Sequence, residues 1–261
     1  MARTRGKKGR IHVKDMKYRN DPMIRLYDKT QDYLQERGRP IIIALGVIAA
    51  AVVLYIAWDL FSSYRADKAK VAYAEADEKA NATVNDPTAT PPPNQTGKTY
   101  DDERVKWQET AEAFERVAND YSGYYGAMAR YRAGAAYLHF DPDKGIQMLQ
   151  QTVAKDERPA SEFARVALAE NYMSNGEFEK AIAEYKELLK APAMNQVAQI
   201  GLAQAYEKAG NTEQAVEAYF EVAKENRTSA AGQKAEERLR ALAPERLKEL
   251  PVSDQIPFPE P

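Results

Sequence analysis

LAENYMSNGEFEKAIAEYKELL, residues 168–189, and LAQAYEKAGNTEQAVEAYFEVA, residues 202–223, are two copies of one pattern set 34 residues apart. Each opens on Leu-Ala, places a tyrosine four residues after the leucine, turns at Asn175-Gly176 or Gly210-Asn211, and then sets an alanine four residues before a second tyrosine. Apolar residues recur at helical spacing on both sides of the turn, so each copy reads as two antiparallel helices. A third copy lies upstream, with Ala133-Gly134, Tyr137, Gly145 and Leu149, and Phe114 continues the series of second-helix residues one unit further back. Small residues let the paired helices close on each other, and the larger rings fill the gaps between pairs. No segment alternates apolar and polar residues as a half-buried strand does, so the fold class is all-α.

Outward from the repeats, SAAGQKAEERLRALA (229–243) is a charged helix suited to cover the last pair as a polar cap. Residues 244–261, which end in PVSDQIPFPEP, read as an extended tail. On the other side, the alanine-rich stretch 62–82 and the Phe114 helix form a further, amino-terminal pair with DPTATPPPNQTGK (86–98) inserted in its turn. Prolines and a lack of apolar side chains keep that insertion out of helix and strand, and its deletion is expected to leave the fold standing. The repeat domain is thus placed at 62–243, with the Pro-rich loop at about 85–99.

Ahead of it, IIIALGVIAAAVVLYIAW (41–58) is eighteen residues without a charge. As a helix it is long enough to cross a hydrocarbon core of roughly 30 Å at about 1.5 Å per residue. The anchor is placed at 41–61, with Ile41 at its start and Tyr55 and Trp58 where an interfacial aromatic belt belongs. Gly46, Ala50 and Ala57 form a small-residue strip suited to packing against another transmembrane helix. Residues 1–40 carry twelve basic and five acidic side chains, which leaves 25 basic and 34 acidic, a net charge of −9, in the rest of the chain. The positive-inside rule keeps the amino terminus in the cytoplasm and sends the repeat domain across the membrane. Within the basic tail, Asp21-Pro22 starts a short helix that gathers Met23, Leu26, Tyr27, Thr30, Tyr33 and Leu34 on one face.

The net negative charge argues against nucleic acid as a partner of the folded domain. Cysteine is absent, which excludes disulfides and thiolate metal sites. The two histidines, His12 and His139, have no companion at metal-ligand spacing, and no nucleophile elbow, phosphate loop or dinucleotide fingerprint occurs. The reading is therefore a non-enzyme without metal or cofactor. What remains is the concave surface of the array, lined by alternate positions of each first helix. Those positions are Met128, Tyr131, Ala135 and Leu138, then Phe163, Val166, Glu170 and Met173, then Val197, Ile200, Gln204 and Glu207. An apolar groove with an acidic edge suits an amphipathic helix or an extended apolar segment of a protein partner, unless the array itself buries the same side chains.

The periodicity resembles that of the tetratricopeptide repeat, which implies a right-handed superhelical array of helix hairpins. Groove positions that carry Lys and Asn in carboxylate-clamp members of that class are aromatic or aliphatic here. The whole layout is similar to a narrower family. YLQERGRPIIIALGVIAAAVVLYIAW, the Ala-rich helix with Lys70, Tyr73 and Ala76, and SGYYGAMARYRAGAAYL followed by MLQQTV resemble the ancillary subunit of the bacterial SecYEG translocon. The resemblance covers roughly residues 23–243 and implies a single-pass inner-membrane protein with a periplasmic repeat domain. It also implies association with translocon subunits and with a membrane-bound periplasmic chaperone. The rival reading is a scaffold of another envelope machine, of cell division, secretion or pilus assembly.

Overall fold

The computed structural model describes residues 22–85, 98–225 and 227–251. The expectations for the basic tail before Pro22, for residues 86–97 of the Pro-rich insertion and for residues 252–261 lie outside these. The chain divides into two compact units, 1–63 and 64–261.

In the first unit the described residues all belong to helix α1, Pro22–Asn81. Pro22 opens it, as its fixed φ and missing N–H favour. Where the sequence suggests a short helix, an anchor and a third helix in succession, the structure has one helix with Pro40 inside it. A proline removes one backbone hydrogen bond, and α1 continues on both sides of it. This helix is long and apolar enough to cross a membrane, and its apolar window is wholly exposed. Ile42, Leu54, Tyr55 and Trp58 are each at least 70% exposed.

In the second unit the remaining turns of α1 pair with α2 (Glu103–Asp120). Then follow α3 (Gly123–Tyr137) with α4 (Pro142–Lys155), α5 (Ala160–Ser174) with α6 (Phe178–Leu188), and α7 (Asn195–Lys208) with α8 (Thr212–Glu225). Helix α9 (Ala230–Leu242) covers the last pair. Ala76 of α1 joins the Phe114 cluster of α2, from α2 to α9 neighbouring helices in this order pack on each other, and the repeat residues do the packing. Phe114, Leu149 and Tyr219 are fully buried and Tyr185 nearly so, each in the second helix of its pair. At the turns after α5 and α7, Gly176 and Gly210 take φ of +77° and +78°. That left-handed step lets the amides of Glu177 and Asn211 bond back to the carbonyls of Tyr172 and Tyr206, at 2.8 and 2.9 Å.

Two features depart from the expected layout. Between α1 and α2, Thr83–Val84 (β1) and Thr99–Tyr100 (β2) pair in parallel, a two-residue bridge too short to show as alternation. Asn85 continues it, its amide donating to the Tyr100 carbonyl at 2.7 Å. Deletion of residues 86–98, expected to leave the fold standing, would nonetheless remove this bridge. Parallel strands need a crossover between them, so joining Asn85 directly to Thr99 would break the bridge. Lys98 itself donates to the Glu109 carboxylate of α2 at 2.7 Å, beside Lys79 at 2.8 Å and the Tyr100 hydroxyl at 3.0 Å.

These donors, Lys79 foremost, hold the Glu109 carboxyl down at about 2. A depressed carboxylate contributes stability above its unfolded value of about 4.3 and loses it as pH falls through the folded value. The Tm gap between the wild-type chain and Glu109→Gln is expected to be open at pH 7 and to close between about pH 5 and pH 2. A gap that stays constant over that range would mean the carboxylate charge is not what holds the bridge.

The second departure is the carboxyl-terminal segment, which is not wholly extended. Pro244–Glu249 form a 3-10 helix, which places Leu247 and Leu250 against the core of Tyr219, Phe220 and Leu239. Arg246 lies 4.1 Å over the Phe220 ring and donates to Glu217 at 2.7 Å. The apolar pair at i and i+3, with proline at the start, is the signal in the sequence.

Candidate functional site

The first helix of each pair carries the residues expected along the groove, and the structure separates them into two groups. In the first group the side chains serve the fold. Met128 is buried with Ala127 and Ala160, so it is corrected from groove lining to core. Leu138, Val166 and Met173 pack against the central cluster around Leu168 and Tyr185, and Ile200 packs against the cluster around Tyr219. Glu207 is likewise corrected. Its carboxylate accepts from the Tyr219 hydroxyl at 2.8 Å and from Nε of Arg238 at 3.0 Å, with a second, shorter bond from the Arg238 fork. That pair holds its carboxyl below the usual range, the Arg238 bond being the main cause. Glu207 thus latches α9 onto α7 and α8.

The second group is no less tied to the core, since Tyr131 packs on both the central and the Met128 clusters and Phe163 on the latter, but its two rings also meet each other. Tyr131 of α3 stacks on Phe163 of α5, ring centroids 5.6 Å apart and 30° between planes, and both rings are half-buried. Glu170 is exposed one turn beyond Val166. Burial raises the Tyr131 hydroxyl pKa, and the Glu170 charge adds to the rise. Tyr185 is pushed up to about 12 by burial, and Glu170 adds to that shift as well. Glu170, on the same helix as Phe163, is the exposed carboxylate of this face. Val197 is 44% exposed and Gln204 is half-buried.

The Tyr131–Phe163 contact follows a rule of register. Tyr131 is the fifth residue of one first helix and Phe163 the second residue of the next, counting from Ala127 and Glu162. The same rule, carried one pair back, brings Tyr73 of α1 onto the Met128 cluster. Tyr73 also lies 5.2 Å from Phe114 and 5.7 Å from Tyr125. Sequence reading placed Tyr73 in a first helix but did not list it along the groove; continuing the count to Ala69 as first position would have found it.

Beside this aromatic run, a hollow of about 210 Å³ opens between the end of α1, α2 and α3, with Ala135 and Arg132 in its wall. Its far side is the His139 imidazole, stacked 3.8 Å from the Trp107 ring and nearly parallel to it. Burial lowers the His139 pKa. Among the described residues no group of three or more His, Cys, Asp or Glu could hold a metal ion. The arrangement offers ring faces and edges, aliphatic surface and one flanking carboxylate, which is a binding chemistry.

A profile of the tetratricopeptide repeat matches residues 198–229, the span of α7, α8 and the turn that follows. No curated protein matches the chain. Among solved structures, the chain is similar to nearly identical TPR-like repeats of a kinesin-light-chain type from Podosopora anserina. The identity is 19% over 57% of this chain and 86% of that one, with a TM-score of 0.45. It is also similar to MamA of AMB-1, at 15% identity over 56% of this chain and 83% of that one, with a TM-score of 0.37.

Proposed function

Because α7 and α8 form a tetratricopeptide repeat and the hairpins before them repeat its packing, a design that serves protein–protein contact, we propose that this chain is a membrane-anchored binding subunit. In this reading residues 41–61 cross the bacterial inner membrane. The amino terminus stays in the cytoplasm and the acidic repeat domain stands in the periplasm. There the domain assists the Sec translocon by linking it to a membrane-bound periplasmic chaperone. The observation that carries the binding role is the Tyr131–Phe163 pair with Glu170 at its edge. Half-buried aromatic rings beside a solvated charge are the composition of an interface centre.

The placement at the translocon is supported by the resemblance of the anchor and of the first repeat, and the orientation by the change from a net charge of +7 before Ile41 to −9 after it. Mass spectrometry of proteins co-purified with the carboxyl-terminally tagged chain from mildly solubilised membranes tests it. Translocon subunits together with a periplasmic chaperone are expected. Enrichment of a division, secretion or pilus complex without them would sink this reading in favour of another envelope scaffold. In the same pull-down, Tyr131→Ala with Phe163→Ala is expected to weaken partner recovery by about 2 kcal/mol, roughly thirtyfold, with helicity unchanged. Unfolding of the double variant would instead make both rings core.

A further inference from the structure

The second helices share a position that is small in every pair but one. Four residues before Leu149, Tyr185 and Tyr219 stand Gly145, Ala181 and Ala215, whereas four residues before Phe114 stands Thr110. Thr110 is 1% exposed, and its hydroxyl is the one buried side-chain polar atom without a hydrogen-bond partner among the described residues. A buried hydroxyl left unpaired is costly, and the other three pairs close without any polar atom at this place. Thr110 stands in the wall of the hollow between the end of α1, α2 and α3, where Ala80, Ala135 and Ala136 are the small neighbours and Phe114, Trp107 and His139 the rings.

The polar groups beside the hollow are otherwise matched. The Arg132 guanidinium donates to Asp77, which also accepts from the Asn81 amide at 2.9 Å, and the Trp107 indole donates to Glu103 at 3.2 Å. Burial lowers the His139 pKa, so that ring is neutral at pH 7. The space therefore suits a neutral group, apolar over most of its surface, with one polar atom for Thr110. At about 210 Å³ it is larger than the cavity of about 150 Å³ that holds a benzene ring. A carboxylate would meet Asp77, whose cation is already engaged, and an aliphatic side chain would leave Thr110 as it is.

We propose that this hollow takes the phenol side chain of a tyrosine presented by a protein partner, its ring among Phe114, Trp107 and His139 and its hydroxyl on that of Thr110. The proposal rests on the binding role argued above and names a residue that the partner must offer. Tyrosine fits because its ring is apolar, packs on other rings edge-on or offset, and ends in a hydroxyl that needs a partner once buried.

The chain has two tryptophans, Trp58 and Trp107, so Trp58→Phe leaves Trp107 as the single reporter beside the hollow. The full-length Trp58→Phe chain, labelled with fluorotryptophan and held in detergent, is titrated with N-acetyltyrosinamide and with N-acetylphenylalaninamide while the fluorine resonance is followed. A saturable shift is expected with the tyrosine amide, at about fivefold lower concentration than with the phenylalanine amide. Thr110→Val should remove that preference without lowering the Tm, because it takes away an unpaired hydroxyl and keeps the shape. Ala135→Leu, which fills the hollow, should abolish both shifts with helicity unchanged. No saturable shift, or equal affinity for the two amides, would overturn the assignment and leave water to meet Thr110. A preference that survives Thr110→Val would overturn it as well. If the assignment falls while Tyr131→Ala with Phe163→Ala still weakens partner recovery, the binding role stands and only the hollow drops out of it.

Discussion

Phe114→Ala is expected to cost about 3–5 kcal/mol and to loosen one end of the repeat unit rather than the whole. Phe114 is fully buried in α2. Its ring meets Tyr73 of α1 at 5.2 Å and lies under the Arg132 guanidinium of α3 at 5.3 Å. Val117 and Ala118 of α2, Ala76 of α1, and Ala129 and Ala133 of α3 complete the cluster. Alanine would leave a cavity where three helices meet, and the small residues around it have no side chain long enough to fill it. In a repeat array each unit is stabilised mainly by its neighbours, and a typical domain has only about 5–15 kcal/mol in hand. Hydrogen exchange should therefore lose protection in 64–81 and 103–137 while 195–225 keeps it. A loss spread evenly over all helices, or a cost under about 1 kcal/mol, would show that the first pair is not built around this ring.

The same residue shows what could be read from the sequence. Phe114, Leu149, Tyr185 and Tyr219 were aligned only by spacing, and all four prove buried. A period imposed by helix packing is written into both the apolar and the small positions, so it survives without any knowledge of contacts. The groove was less legible because the same period cannot tell inward from outward. Met128 and Tyr131 both fall on the predicted face, yet one is covered by Tyr73 and its neighbours while the other keeps an edge in solvent. That distinction depends on which side chains arrive from adjacent hairpins. Glu207 was misplaced for a related reason. Its partner Arg238 lies 31 residues away in a helix outside the repeat, and no local pattern connects them. Pro40 and the strand pair Thr83–Val84 with Thr99–Tyr100 were missed because one depends on how much helix stands on either side and the other is two residues long.

Gly145→Ala is the second large effect, and it turns a departure in the sequence into a test. Tyr137 and Gly145 are one residue closer together than Tyr172 and Ala181 or Tyr206 and Ala215. The α3–α4 hairpin accordingly turns without a left-handed glycine, through successive tight bonds from His139, Phe140 and Asp141. A Cβ on Gly145 would lie 2.8 Å from the Leu138 nitrogen and 2.9 Å from the Gly134 carbonyl oxygen. Across the same crossing, a Cβ on Gly134 would lie 2.9 Å from Leu149 Cγ. Alanine gains about 1 kcal/mol over glycine in a helix interior, but here it would press on backbone that the short turn holds in place. Overpacking costs about 1–3 kcal/mol, and backbone contacts put this site at the upper end, so a net loss is expected in urea unfolding. Inserting one glycine between Phe140 and Asp141, which restores the spacing of the other repeats, should recover most of that loss in the Gly145→Ala chain. If the insertion fails to rescue, or if Gly145→Ala alone is neutral, turn length is not what excludes alanine from the first repeat.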